Sequence, residues 1–167
     1  ICKGQHVAVM LPTSRYYPIT WIALARLGAV TVPVNVRYTQ REIRFALTDS
    51  DSEFLIIARE FLDNLPGLNL SDVIDADRVL VLEHSPDDDS GWHAVLNTGS
   101  ISPEISYDSP SLETVMNIQY TSGTSGLPKG AILDHRYWLT FSRNGAAQFL
   151  DQLKRILVAQ PFYYVDA

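Results

Sequence analysis

Short apolar runs alternate along this chain with segments whose apolar residues recur at helical spacing. Residues 6–11, 29–34, 54–58 and 79–82 form brief runs rich in β-branched side chains and bounded by Pro, Gly or polar residues. Runs of this length and composition are typical of buried strands. Because helical segments separate them, the strands are predicted to be largely parallel and joined by crossover helices. The predicted fold class is therefore α/β.

The first helix is predicted between the first two of these strands. Thr13 and Ser14 are candidate N-caps, and Gly28 occupies the position of a left-handed C-terminal cap. Pro18 must then lie in the first turn, where its missing N–H leaves no hydrogen bond unmade. Helical spacing predicts an apolar face made of Ile19, Ile22, Ala23 and Leu27.

The second helix has a stronger local signal. Thr39 and Glu42 form a T-x-x-E capping box, which predicts a helix over residues 40–48. The spacing of this helix buries Ile43 and Leu47 and leaves its two arginines in water.

The remaining elements are predicted in the same way: a helix over 60–65, a helix over 137–153, and strands over 116–120, 131–133 and 156–160. Residues 85–110 lose the pattern and contain three adjacent aspartates together with several Ser, Gly and Pro residues. We interpret this stretch as a solvated surface excursion, because three neighbouring carboxylates on an extended backbone cannot all face one cation.

Composition and charge exclude several classes of protein function. The chain has 167 residues, of which 46% are apolar and 19% charged, as in an ordinary globular domain. Its net charge of −6 argues against a general nucleic-acid binder. Cys2 is the single cysteine, so it forms no internal disulfide, and no metal site is predicted. A reducing, cytoplasmic location is expected.

The longest apolar region, residues 19–34, is interrupted by Arg26, Gly28 and Pro33. It falls short of the roughly 20 uninterrupted apolar residues that a membrane span needs, so no transmembrane segment is predicted. The chain opens at Ile1 rather than Met and stops just after an apolar stretch. We therefore expect it to be a fragment of a longer polypeptide.

Candidate chemistry is concentrated in Y-T-S-G-T-S-G-L-P-K-G, residues 120–130. Its glycines, Gly123, Gly126 and Gly130, allow positive φ and close backbone approach. Four hydroxyls and one ammonium group accompany them, on Thr121, Ser122, Thr124, Ser125 and Lys129. Backbone N–H groups, hydroxyls and a cation together are what a polyphosphate requires.

The motif differs from two other phosphate-binding motifs and has one alternative interpretation without function. The Walker P-loop needs Lys directly after Gly and a hydroxyl residue directly after Lys, whereas Pro128 precedes Lys129 and Gly130 follows it. The dinucleotide fingerprint G-x-G-x-x-G is also absent from the motif. The alternative without function is a plain Ser/Gly turn between two strands. It is the weaker interpretation, because the motif has a specific order of residues over eleven positions and includes a lysine.

These residues resemble the adenylate-forming superfamily, which contains acyl-CoA synthetases, luciferases and the adenylation domains of peptide synthetases. Residues 120–130 resemble its signature phosphate-binding loop. Residues 24–35, LARLGAVTVPVN, resemble its early region, and residues 39–50 resemble its next helix. The resemblance covers almost the whole chain and is weakest over residues 85–110.

The resemblance implies a two-step ligase. A small-molecule carboxylic acid attacks the α-phosphate of ATP, held with Mg²⁺, and the thiol of coenzyme A then displaces AMP from the acyl-adenylate. Matching the family's loop implies that the β- and γ-phosphates contact Thr121, Ser122, Gly123, Thr124, Ser125, Gly126 and Lys129. No catalytic residue is identifiable.

The sequence also departs from the family. In PFYYVD, residues 161–166, Tyr164 stands where many relatives carry a His, so no imidazole role is carried over. Phe162, Tyr163 and Tyr164 are either part of the acyl-pocket wall or simple core residues. Asp134 precedes His135 where relatives usually show a hydroxyl residue, and we expect His135 to begin a helix or to pack.

The family's later motifs, Y-G-x-T-E and T-G-D, are missing, as is its C-terminal domain with the adenylation lysine. We therefore expect residues 1–167 to be part of the N-terminal AMP-binding domain and to be inactive alone. Two alternatives stay open for the parent: an amino-acid adenylation domain that loads a carrier protein, and a non-catalytic nucleotide-binding remnant.

Overall fold

The computed structural model describes residues 1–63, 70–82, 108–121, 128–149 and 160–164. In chain order the strands are β1 His6–Met10, β2 Val30–Pro33, β3 Phe54–Ala58, β4 Val79–Leu82, β5 Val115–Thr121 and β6 Lys129–Asp134. The helices are α1 Tyr16–Leu27, α2 Gln40–Asp49, α3 Arg59–Asp63 and α4 His135–Phe149, with a 3₁₀ turn at Ala76–Arg78. The predicted strand over 156–160 and the acidic run at 87–89 fall on residues outside these ranges, apart from Gln160.

The strands form one sheet in the order β4-β3-β1-β2-β5-β6. Ala8 is aligned with Val32 on one side and with Leu55 on the other, both in parallel register. Thr31 is aligned with Asn117, which brings β5 beside β2. Only the pairing of β5 with β6 is antiparallel among the described strands. The predicted α/β class with largely parallel strands is confirmed.

Both faces of the sheet are covered by apolar side chains. On β1, Ala8 and Met10 point into a core that α2 covers, whereas Val7 and Val9 point into a core that α1 covers. This alternation follows from the two-residue period of a strand. Each fully buried Val or Met side chain contributes about 1.5–3 kcal/mol relative to an exposed one. The central strands are therefore the most strongly stabilised part of the described fold.

Helix α1 begins and packs differently from the prediction. Its N-cap is Arg15, and no side chain caps it, so the prediction of Thr13 or Ser14 is wrong. Ile19 and Ile22 are 53% and 54% exposed, so the predicted apolar face is also wrong. The buried residues are Tyr16, Tyr17, Thr20, Leu24 and Ala25. Because large apolar residues occur all round this helix, their spacing does not tell which face meets the sheet.

The end of α1 agrees with the prediction. Gly28 has φ 69°, and its N–H donates to the carbonyl of Ala25 at 3.0 Å. A Cβ here would also lie 2.9 Å from Cγ of Lys3. Glycine is thus required both by the left-handed backbone and by the close approach of the chain's first residues.

Helix α2 carries the predicted capping box. The backbone N–H of Thr39 donates to Oε2 of Glu42 at 2.7 Å, and the N–H of Glu42 donates to Oγ1 of Thr39 at 3.4 Å. Ile43 and Leu47 are buried as predicted. The Thr39 hydrogen bonds hold the pKa of the Glu42 carboxyl below its usual range. No helix within the described ranges is both long enough and apolar enough to cross a bilayer.

Candidate functional site

The hairpin of β5 and β6 frames the glycine-rich motif. Thr121 ends β5 and Lys129 begins β6, and the two are aligned in antiparallel register. The first hydroxyl residue of the motif and its lysine therefore face each other across one strand pair, at a solvent-exposed position. The other predicted phosphate-binding residues lie outside the described residues: Ser122, Gly123, Thr124, Ser125 and Gly126.

Gly130 is required by close packing rather than by backbone conformation. It lies on β6 opposite Tyr120, and its φ is outside the left-handed region. A Cβ built on it would approach Cγ2 of Ile118 at 2.8 Å and Cζ of Tyr120 at 3.4 Å. The sequence suggested two reasons for a glycine, a positive φ or a close backbone approach, and the structure shows the close approach.

The side chains of β5 alternate between the two faces of the sheet. Ile118 and Tyr120 belong to the core beneath α2. The Tyr120 ring packs edge-on against Phe45 with 6.3 Å between ring centroids. Its hydroxyl donates to Oδ2 of Asp49 at 2.6 Å. Burial, assisted by this carboxylate, raises the pKa of the Tyr120 hydroxyl, so the group stays protonated and available as a donor.

On the opposite face of β5, two buried amides tie other elements to the strand. Oδ1 of Asn117 accepts a hydrogen bond from Nε1 of Trp138 on α4 at 2.6 Å. Nε2 of Gln119 donates to the backbone carbonyl of Tyr163 at 2.7 Å. The sequence patterns predicted no role for these two amides. The available signal was the polar residue at every second position of N-I-Q-Y, residues 117–120, within an otherwise apolar strand.

The three aromatic residues predicted as acyl-pocket wall or core differ in burial, and their role in binding an acid stays a prediction. Tyr163 is buried in the core beneath α1. Phe162 stacks on Tyr17 with 6.0 Å between ring centroids, and Tyr164 is 46% exposed. Burial raises the pKa of the Tyr17 hydroxyl, which therefore stays neutral.

Phe162 and Tyr164 line a cavity of about 170 Å³ between α1, β5 and α4. Trp21, Trp138, Asn117 and Gln119 line it too. The rings of Trp21 and Trp138 pack edge-on with 4.8 Å between ring centroids. None of the described lining residues carries a charge. A cavity with aromatic walls, polar amides and no charge suits an uncharged organic group.

Asp134 and His135 form the start of α4. Oδ1 of Asp134 accepts a hydrogen bond from the backbone N–H of Tyr137 at 2.7 Å, which is N-cap geometry. His135 begins the helix, as predicted. Nε2 of His135 is buried and has no hydrogen-bond partner among the described residues. Burial lowers the pKa of this imidazole. Across the part of the chain that the structure describes, no group of three or more His, Cys, Asp or Glu residues is arranged to hold a metal ion.

Comparison with known proteins decides the family. The model of the AMP-binding enzyme family matches residues 1–165. The chain belongs to the AMP-binding enzyme family. The chain is 28% identical to a long-chain-fatty-acid–CoA ligase of Yersinia pestis over an alignment 193 positions long, which covers 99% of the chain and 34% of that protein. It is 30% identical to the long-chain-fatty-acid–CoA ligase FadD13 of Mycobacterium tuberculosis over an alignment 172 positions long, which covers 100% of the chain and 32% of that protein.

Solved structures support the same family. A long-chain-fatty-acid–CoA ligase from Archaeoglobus fulgidus superposes with a TM-score of 0.70 at 31% identity, over 87% of this chain and 28% of that one. ATP-bound MatB from Rhodopseudomonas palustris gives a TM-score of 0.77 at 23% identity, over 98% of this chain and 31% of that one. The second likeness concerns the fold alone. The chain spans about a third of the length of the curated relatives it matches.

Proposed function

We propose that this chain is part of an ATP-dependent acid–thiol ligase that converts a carboxylic acid to its coenzyme A thioester. The observation that carries the proposal is the alignment of Thr121 with Lys129 on the two strands that flank the family's glycine-rich motif. Family membership supports ATP and coenzyme A as the other substrates. The curated relatives are named as fatty-acid–CoA ligases, which supports the same reaction class here.

The proposed chemistry has two steps. One carboxylate oxygen attacks the α-phosphorus of ATP and expels pyrophosphate, which leaves an acyl-adenylate. The sulfur of coenzyme A, having lost its proton, then attacks the acyl carbon and expels AMP. In-line transfer at phosphorus is accelerated mainly by positioning and charge stabilisation, which is the contribution that a loop of donors and a cation can make.

Two described residues have assigned tasks in this proposal. The Thr121 hydroxyl donates a hydrogen bond to a non-bridging oxygen of the β- or γ-phosphate, and the Lys129 ammonium offsets the negative charge on the same group. Ser122, Gly123, Thr124, Ser125 and Gly126 are proposed to complete the contacts, on the strength of the family resemblance. The Mg²⁺ that accompanies ATP is proposed to arrive with the nucleotide.

Phe162 and Tyr164 are proposed as part of the wall that receives the acid. They line the uncharged cavity beside β5, and Tyr163 supports this wall from the core through its bond to Gln119. The lack of charge in the described lining favours an acid whose non-reacting part is neutral. Because Tyr164 has no imidazole, the wall supplies shape rather than a base.

The proposal is tested by carboxylate-dependent exchange of labelled pyrophosphate into ATP, using the protein expressed from its complete reading frame. Lys129→Ala should lose about 1.5–3 kcal/mol of transition-state stabilisation, or roughly ten- to a hundredfold in kcat/KM for ATP. Lys3→Ala, which removes the same charge from the exposed start of the chain, should retain wild-type exchange.

The acceptor separates the proposed reaction from its alternatives. Formation of acyl-CoA after exchange supports the acid–thiol ligase. Transfer only to a carrier protein would instead support an amino-acid adenylation domain. ATP binding without any acid-dependent exchange would support a non-catalytic nucleotide-binding protein.

A further inference from the structure

The hydroxyl of Tyr120 makes a contact that the proposed chemistry does not use. It donates to Oδ2 of Asp49 at 2.6 Å, although the two residues are 71 positions apart in the chain. Asp49 is the last residue of α2, and Tyr120 is the residue immediately before Thr121. The bond thus connects the end of a helix to the end of the strand that carries the first proposed phosphate ligand.

Packing alone does not explain why a hydroxyl is present. The Tyr120 ring is 7% exposed and rests against Phe45 and the core beneath α2. A phenylalanine ring would fill the same space. The hydroxyl therefore adds a directional constraint, because a hydrogen bond to a carboxylate fixes where the ring edge lies relative to α2.

The same ring lies close to the strand that carries the lysine. Gly130 is aligned with Tyr120, and a Cβ on Gly130 would lie only 3.4 Å from Cζ of the Tyr120 ring. Gly130 directly follows Lys129. The end of the ring that bonds to Asp49 therefore also lies close to the backbone of β6 at Gly130. A displacement of the ring would therefore move Thr121, which is the next residue in the chain, and would move Lys129 by displacing Gly130.

We infer that Asp49 and Tyr120 form a positioning pair that sets the placement of Thr121 and Lys129 for a bound polyphosphate. The inference rests on the proposed function and adds to it two residues that contact no substrate. Their effect is expected on the affinity for ATP. The affinity for the carboxylic acid should not change, because Phe162 and Tyr164 lie on the opposite face of β5.

The test compares variants that remove the bond with one that keeps it. Tyr120→Phe and Asp49→Ala each remove it, whereas Asp49→Asn loses the charge but retains an acceptor oxygen. In the protein from its complete reading frame, the first two should raise KM for ATP about tenfold, with kcat and KM for the acid within twofold of wild type. Asp49→Asn should keep KM for ATP near the wild-type value. Asp51→Asn is the matched control: it removes the same charge from a neighbouring exposed position and should also leave KM for ATP near wild type.

The double variant Tyr120→Phe, Asp49→Ala shows whether the residues act together. It should be no worse than Tyr120→Phe alone, because that variant already removes the bond to Asp49. Effects that multiply, or KM values for ATP that stay within twofold in both single variants, would overturn the inference. A loss of thermal stability with unchanged KM for ATP would also overturn it, since that result indicates a purely structural bond.

The inference can fail separately from the proposed function. If the wild-type protein shows no exchange with any acid, the ligase proposal fails, and the variants are compared by calorimetric titration with Mg-ATP. A tenfold weaker Kd in Tyr120→Phe and Asp49→Ala would then sustain the positioning pair. An unchanged Kd, or no Mg-ATP binding by the wild type, would reject it.

Discussion

Nε2 of Gln119 donates a 2.7 Å hydrogen bond to the backbone carbonyl of Tyr163, and both residues are buried. This bond joins a strand in the middle of the chain to the segment that holds Phe162 and Tyr164. It is the structural link between the strand that leads to the glycine-rich motif and one wall of the uncharged cavity.

Gln119→Met should destabilise the protein by about 1–3 kcal/mol, because the Tyr163 carbonyl is left buried without its donor. The measurement is the free energy of unfolding from urea denaturation followed by tryptophan fluorescence. Gln5→Met is the matched control, since the bond from Nε2 of Gln5 to Glu53 at 3.0 Å is only partly buried and water can replace it. Equal losses of unfolding free energy in the two variants would show that the Gln119 bond stabilises the protein no more than the partly buried Gln5 bond does.

Gly130→Ala should destabilise the hairpin of β5 and β6. The new methyl group would lie 2.8 Å from Cγ2 of Ile118, and overpacking of this kind costs about 1–3 kcal/mol. Gly145→Ala is the control, because nothing lies within 4 Å of a Cβ at that position in α4. The control should gain about 0.5–1 kcal/mol from helix propensity. The two substitutions should therefore shift the midpoint of thermal unfolding in opposite directions.

Stability should decrease as the pH falls below 6.5, in part through His135. Burial lowers the pKa of this imidazole in the folded protein from its ordinary value of 6.5. Between that value and the lower folded-state pKa, the unfolded chain binds a proton that the folded chain does not, so acid favours unfolding. At higher pH both states are neutral and the His135 contribution is fully present.

The pH effect of His135 is isolated by comparing urea midpoints at pH 7.5 and 5.5 in the wild type and in His135→Gln. The variant should show a smaller difference between the two midpoints. If the difference between the two midpoints is the same in His135→Gln and in the wild type, the assignment to His135 is wrong.

The 167-residue chain in isolation should self-associate. Ile132 on β6, the outermost strand of the sheet among the described residues, is 68% exposed, and Leu139 and Phe141 on the adjoining α4 are also exposed. An uncovered edge strand with apolar side chains promotes pairing between molecules. Size-exclusion chromatography with light scattering should detect oligomers, and Ile132→Lys should shift them toward monomer. Thr48→Lys, which adds the same charge at a polar exposed position, should have no such effect, and a monodisperse wild-type monomer would contradict the prediction.

Local signals in the sequence predicted much of the fold. The capping box of Thr39 and Glu42 located α2, and Gly28 located the end of α1, because hydrogen bonds and backbone angles at helix ends depend on residues close in sequence. The buried face of α1 was not predictable in this way. Which side of that helix meets the sheet depends on contacts with residues such as Phe162, far along the chain.

The candidate site shows the same division. The motif predicted Thr121 and Lys129 as phosphate ligands, and the structure aligns them on neighbouring strands, while their binding role stays a prediction. The Asp49–Tyr120 and Gln119–Tyr163 bonds join residues distant in sequence, so neither spacing nor composition could reveal them. The antiparallel direction of β6 was equally hidden, because a short apolar run contains no information about the direction of its partner.

The alignment of Thr31 with Asn117 has a consequence for the order of folding. β1, β2 and β3 follow one another closely in the chain, and β5 and β6 form a hairpin, so each group can assemble from nearby residues. The contact between β2 and β5 must close a much longer stretch of chain, and contacts of large sequence separation form slowly. We expect the two halves of the sheet to form first and their junction last, so that the alignment of Thr121 and Lys129 precedes the completion of the cavity beside them.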